Sequence, residues 1–240
     1  MRNLTIYLTM MLIFCATATA QTSLSSSAPL INNAENGVYL QQIGSASNIN
    51  ITQLGSGNTI GISGTSPSVS ASSNSTLSIT QTGNNNSNNF NIAGDAVTYT
   101  DTVTGNSNSE TLQCGGTGNY NSGSCGGSSQ TTAITGAANR VNITAIGNNI
   151  TNTLNINGNA NTVTQDFESA GANSNTTITG DNNSLTSTQT GLAGSNGHSL
   201  TINTTGSGNS ITTTQSGTID TAINLKIFGS VNTIAIKTGN

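Results

Sequence analysis

Side chains able to do acid–base, nucleophilic or metal chemistry are few: eight Asp or Glu, one His and three Cys among 240 residues. Asp166 and Glu168 stand two apart, a spacing that puts both on one face of a strand. Paired carboxylates are the machinery of glycoside hydrolysis, and solenoid folds host enzymes that cleave polysaccharides. The neighbouring Gln165 and Phe167 instead suggest an imperfect repeat, so the expectation is a solvated pair and no enzyme. His198, in GSNGHSL, has no second His and no Cys nearby, which leaves a metal site little support. There is no calcium-binding GGxGxD repeat and no P-loop. No catalytic residue, metal or cofactor is therefore expected.

Cys114 and Cys125 are the two cysteines left once the first twenty residues are set aside. Those residues, MRNLTIYLTMMLIFCATATA, begin with Arg2, run apolar from Leu4 to Phe14 and place small Ala18 and Ala20 as a cleavage site. They have the form of a removable secretory signal over 1–20. Phe14 before Cys15 argues against lipid attachment there. An even pair of cysteines in an exported chain predicts a disulfide between Cys114 and Cys125. The apolar run is too short to span a bilayer and nothing downstream is continuously apolar, so no membrane span is expected. The net charge of −4, without a Lys/Arg cluster, argues against nucleic acid as a partner.

The elements that would carry these residues are set by glycine. Gly83, Gly94, Gly105, Gly116 and Gly127 are eleven residues apart, as are Gly136, Gly147 and Gly158. Six, four and two residues before these glycines stand inward candidates such as Leu77, Ile79 and Gln81, or Leu185, Ser187 and Gln189, with Thr, Ser and Asn between them. A period of two predicts a short strand with one buried face. GxxN follows many strands, as in Gly55 to Asn58, Gly180 to Asn183 and Gly206 to Asn209, and reads as a tight turn in which Gly and Asn enter positive φ. The expected fold is all-β: a β-solenoid of stacked strand-turn-strand coils, two strands and about 22 residues per coil, as from Gly136 to Gly158. With about nine coils at ~4.8 Å each, the stack would be roughly 40 Å long.

The expected organisation is a signal at 1–20, a polar leader at 21–37, repeats at 38–113, a Gly/Cys loop at 114–130 and repeats at 131–240. Ser63 to Ser75, with Pro67, reads as an insertion. If the glycine frame held through the loop, the two cysteines would lie at opposite ends of a coil, beyond bridging distance. The disulfide therefore requires the segment to leave the coil.

Gln42, Gln53, Gln81, Gln189 and Gln215 all stand two residues before a Gly, in phase with Leu and Ile. A buried amide must be hydrogen-bonded, and stacking each Gln on the Gln of a neighbouring coil gives a continuous ladder. Stacking also accounts for a charged content of only 5 %, since like charges on successive coils would repel. The phrases GDNNSLTSTQTG (180–191) and GSGNSITTTQSG (206–217) start twenty-six residues apart. Gln189 on Gln215 therefore requires four extra residues around Gly194 to Gly197 to bulge out.

ITQLGSGNTI (51–60), LSITQTGNN (77–85) and ITTTQSGT (211–218) resemble the curlin repeat of bacterial curli fibre subunits, which places Gln, Gly and Asn in this order. The resemblance covers residues 38–240. It implies a secreted, extracellular subunit that polymerises into cell-surface amyloid fibres for adhesion and biofilm matrix, with itself as partner and with outer-membrane export and nucleation partners. Carried over by position, the ladder residues are the same five glutamines, with Asn58, Asn183 and Asn209 in turns. Many repeats depart from the pattern, with Ile92, Val103, Ile178 or Thr204 in place of Gln. Alternatives are a monomeric solenoid acting as an adhesin or ice-binding protein through outward Thr pairs such as Thr186/Thr188 and Thr212/Thr214, and a phage or viral fibre component.

Overall fold

The structure, a computed structural model, describes residues 21–27, 42–45, 48–54, 59–60, 68–72 and most of 74–239; within that last span 84, 106, 116–124, 137, 159, 169–170, 181, 191–197, 207, 217–220 and 230 are not described. The signal at 1–20, Gly55 and Asn58, Pro67 and the segment 194–197 lie outside the described residues.

The strands are β1 (Gln21–Ser27), β2 (Gln42–Ser45), β3 (Asn48–Leu54), β4 (Ser68–Ser72), β5 (Thr76–Thr82), β6 (Asn88–Ala93), β7 (Thr98–Thr104), β8 (Glu110–Cys114) and β9 (Ser129–Thr135). They continue as β10 (Val141–Ile146), β11 (Thr151–Asn157), β12 (Val163–Glu168), β13 (Asn173–Thr179), β14 (Leu185–Thr190), β15 (His198–Thr205), β16 (Ile211–Gln215), β17 (Thr221–Phe228) and β18 (Ile234–Lys237). Odd strands form one nine-stranded sheet in chain order and even strands form another. Every pairing is parallel, for example β11 on β13 with Leu154 opposite Thr176. The chain is thus an all-β solenoid in which each coil contributes one strand to each sheet.

The alternation explains the core. Within β5 the burial runs Leu77, Ile79 and Gln81 inward, with Thr76 and Thr82 exposed. A strand of this pattern has one face to bury, and two sheets facing each other bury both inner faces at once. Phe90, Tyr99 and Phe167 are the largest fully buried side chains, and the aliphatic residues fill the space around them. No coil could stand alone, because each inner face is closed above and below by its neighbours.

Two segments set apart in the sequence turn out to contribute strands. β1 occupies the first residues of the expected leader, with Leu24 opposite Ile51. β4 lies inside the Ser-rich stretch and places Val69 opposite Ile92.

The loop expected at 114–130 is too long: Cys114 ends β8 and Ser129 and Gln130 open β9, while 116–124 lie outside the described residues. Cys114 and Cys125 are bonded, with Cα atoms 5.7 Å apart. The coil resumes at Cys125, whose N–H donates to the Ile146 carbonyl at 2.9 Å, as Gly147 donates to Glu168 at 3.1 Å in the next coil. Asn108 and its successor Asn139 are 31 residues apart, whereas Asn139 and Asn161 are 22 apart. The excess, 31 − 22 = 9, is the number of residues between Gly115 and Cys125, so the coil is kept in register on either side of the Cys114–Cys125 bond. The even glycine spacing through Gly116 and Gly127 is therefore not structural: the turn after Gly105 is followed by the turn at Gly136.

Candidate functional site

In a stack of this kind the surfaces that join one coil to the next are the site. The GxxN turns supply the most regular of them. Asn86, Asn108, Asn139, Asn161, Asn183 and Asn209 are all buried at one corner of the coil. Each Nδ2 donates to the carbonyl of the glycine three residues earlier, as Asn161 to Gly158 at 2.9 Å and Asn183 to Gly180 at 2.9 Å. From Asn108 onward each also donates to Oδ1 of the preceding Asn: Asn108 to Asn86 at 2.7 Å, then Asn139, Asn161 and Asn183 to their predecessors at 2.6 Å. Asn209 and Asn232 extend the ladder to the last coil. Such a chain satisfies both amide protons and the oxygen, and aligned amides polarise one another.

This corrects the expected role of the turn residues. Among the described residues the non-glycine residues with positive φ are Asn74, Ala96 and Asn149, and none of these is a GxxN asparagine. Gly180 and Gly206 are required by proximity instead: a Cβ on Gly180 would lie 1.4 Å from the Gly158 carbonyl oxygen, and one on Gly206 would lie 1.5 Å from that of Gly180. The coils approach so closely at this corner that only hydrogen fits. The sequence signal was the recurrence of GxxN once per coil, and what it hid was that Asn points inward.

The glutamine ladder is present in pieces. Gln215 donates through Nε2 to Gln189 Oε1 at 2.8 Å, with the two residues in register and both fully buried. Their separation of 26 residues confirms that the extra residues between β14 and β15 are absorbed outside the strands. Gln53 is likewise in register with Gln81. These pairs lie in different sheets, however, so the expected continuous ladder does not form. In the odd sheet the Gln81 position continues as Val103 and Ile134. In the even sheet Phe167 precedes Gln189. Gln42 has no Gln neighbour: it stands opposite Val69, and Gly44 lies within β2, opposite Ala71, not in a turn. A shared offset from Gly places a residue inward, but successive strands alternate between sheets.

Asp166 faces outward at intermediate exposure on β12 and Glu168 is exposed, while Gln165 and Phe167 are buried. The strand is regular, so the inferred imperfect coil is not found there. His198 opens β15 and is buried. Among the described residues no group of three or more His, Cys, Asp or Glu is placed to hold a metal ion, and no helix is long and apolar enough to cross a membrane.

Two carboxyls that the sequence did not single out lie inside the core. Asp101 of β7 and Glu110 of β8 are 0 % and 2 % exposed. Tyr99 Oη lies 3.1 Å from Glu110 Oε1 and 3.4 Å from Asp101 Oδ2. Thr132 Oγ1 donates to Glu110 Oε1 at 3.1 Å, and Asn88 Nδ2 donates to Asp101 Oδ2. Burial, which disfavours the charged form, pushes Glu110 up to about 7. Burial first, and then the Glu110 charge, hold Asp101 well above the usual carboxylate range, and burial does the same for the Tyr99 hydroxyl.

The last coil is open. Ile223, Leu225 and Ile227 of β17 continue the inward columns but are only partly buried. Ile234 and Ile236 of β18 stand in register with Ile211 and Thr213 and are 46 % and 49 % exposed. Phe228 and Val231 flank them at 59 % and 60 %. β17 and β18 end their sheets, so their outer edges carry backbone donors and acceptors with no further strand among the described residues. Compared with known proteins, the chain matches no family model, no curated protein and no solved structure.

Proposed function

We propose that the protein is a secreted structural subunit that adds end to end with copies of itself into an extracellular fibre, with the adhesive and matrix roles that its curlin-like repeats suggest. The observation that carries this reading is the open coil at β17 and β18. Ile223, Leu225, Ile227, Ile234 and Ile236 present a cross-section of the core, more uniformly aliphatic than the Ile211, Thr213 and Gln215 set beneath it. An apolar face bordered by two unpaired strand edges is a template for another parallel coil. β1 and β2 would meet it from the next copy. Function then lies in the bonds between coils, and no turnover is involved.

The test is the chain from Gln21 onward, followed by amyloid-dye fluorescence with and without preformed seeds. Seeds are expected to abolish the lag. Ile234→Lys with Ile236→Lys, which places charges on the open face and leaves the completed coils untouched, is expected to prevent elongation. A chain that stays monomeric for days without a seeding response overturns the reading.

A second reading has one observation in its favour. From β3 to β15 the outward positions of the odd strands hold no Asp, Glu, Lys or Arg; successive rungs carry Thr98, Thr100, Thr102 and Thr104, then Ser129, Thr131, Ala133 and Thr135. This flat hydroxyl array suits ice binding, and thermal hysteresis in a chain that fails to polymerise would select it.

A further inference from the structure

We propose that Tyr99, Asp101 and Glu110 form a proton-held lock within the stack: β7 and β8 pack natively only while the carboxyl pair retains a proton, and the coils around them loosen when it is withdrawn. Only eight acidic residues occur in the whole chain, and two of them converge here from opposite sheets onto one tyrosine hydroxyl. Two ionised carboxylates in a dry interior repel and lose their hydration, so the folded arrangement favours at least one neutral acid.

Among the described residues the surroundings offer no compensating charge. β5 places Ile79 beside Asp101, β9 places Thr132, β6 places Asn88 against Asp101 and below Glu110, and β10 places Val141 at its start. The titratable groups in the cluster are Tyr99, Asp101 and Glu110 themselves. Three buried oxygen atoms, Asp101 Oδ1, Glu110 Oε2 and Asn88 Oδ1, have no hydrogen-bond partner among the described residues. They are the places where a carboxyl proton can sit or be received. A cation fits less well, because Glu110 Oε1 already has the Tyr99 and Thr132 hydroxyls at 3.1 Å each.

The sign follows from where the proton is held. Glu110 is raised from 4.5 to about 7 on folding, so between those values the folded chain keeps a proton that the unfolded chain releases. The stabilisation is complete below about pH 4.5 and is lost as pH rises through about 7. The interval corresponds to a loss of up to roughly 300-fold in the local folding equilibrium.

Amide hydrogen exchange on the chain from Gln21, disulfide intact, tests this between about pH 5 and pH 8.5. Protection in β7 and β8 is expected to fall by roughly 70-fold relative to β14 and β16, after correction for intrinsic exchange. Glu110→Gln is expected to reduce the difference, and Glu110→Gln with Asp101→Asn to remove it. Parallel behaviour of the two regions in the wild-type chain overturns the proposal, as does a slope that survives in the double variant. Restoration of β7 and β8 by calcium at the alkaline end also overturns it, by showing that a cation holds the pair. Should the double variant fail to fold, infrared spectroscopy of the wild-type chain decides. An un-ionised carboxylic acid band at about pH 6 supports the lock, and its absence refutes it.

Discussion

Gly180→Ala is expected to destabilise the stack by more than ~3 kcal/mol, beyond the ordinary cost of overfilling a core. The added methyl would sit 1.4 Å from the Gly158 carbonyl oxygen and 3.0 Å from Asn161 Oδ1. Neither partner can swing aside. The first is backbone, and the second is fixed by its bond to Asn183. The coils must separate at that corner, which breaks the 2.9 Å bond from the Gly158 N–H to the Thr179 carbonyl and the amide ladder beside it. Gly127→Ala provides the contrast. Gly127 has φ +67 with nothing within 4 Å of where the methyl would stand, so its cost is only the left-handed conformation, about 1 kcal/mol. Thermal and denaturant midpoints of the two variants, with hydrogen exchange over β13 to β15, check both values. Equal effects would show that backbone conformation, and not proximity, selects glycine at these turns.

Asn161→Ala is expected to cost about 3 kcal/mol, because three buried groups lose a partner at ~1 kcal/mol or more each. The substitution leaves Asn139 Oδ1 and the Gly158 carbonyl without the donor they share, and one of the two Asn183 Nδ2 protons without an acceptor, the other keeping the Gly180 carbonyl. The corner is too enclosed for water to substitute at all three. Asn161→Asp discriminates further. Its carboxylate would face Asn139 Oδ1, oxygen against oxygen, and would be worse than alanine at neutral pH. Burial raises the pKa of such a carboxyl. The variant therefore recovers stability as pH falls and the acid becomes a donor to Asn139. A midpoint for N161D that does not respond to acid would count against the ladder as a source of stability.

Much of this architecture is legible without coordinates. Leu77, Ile79 and Gln81 alternate with threonines because a strand has two faces. Gly136, Gly158 and Gly180 recur at an even step because two strands and two turns complete one coil. From those two facts the all-β solenoid and the stacking of Gln189 on Gln215 follow, and the structure has both. The Asp101 and Glu110 cluster was not legible. Asp101 and Glu110 occupy inward positions of adjoining strands, but polar residues occur at inward positions throughout this chain, and nothing local distinguishes a buried acid from an imperfect repeat.

What the sequence determined by itself is phase: which residues of a strand point inward and how often the chain turns. Short-range sterics and the two-residue period of a strand decide these, and both act within a few residues. Tertiary structure alone decided which coil lies on which. The assignment of Gln53 and Gln81 to one sheet and of Gln189 and Gln215 to the other depends on counting coils past the nine extra residues between β8 and β9 and the four between β14 and β15. The inward Asn161 and the glycine beneath it likewise depend on how closely two backbones approach, a distance set by the whole stack. Gly180 shows both levels at once: its spacing was read from the chain, and its reason is the Gly158 carbonyl one coil earlier.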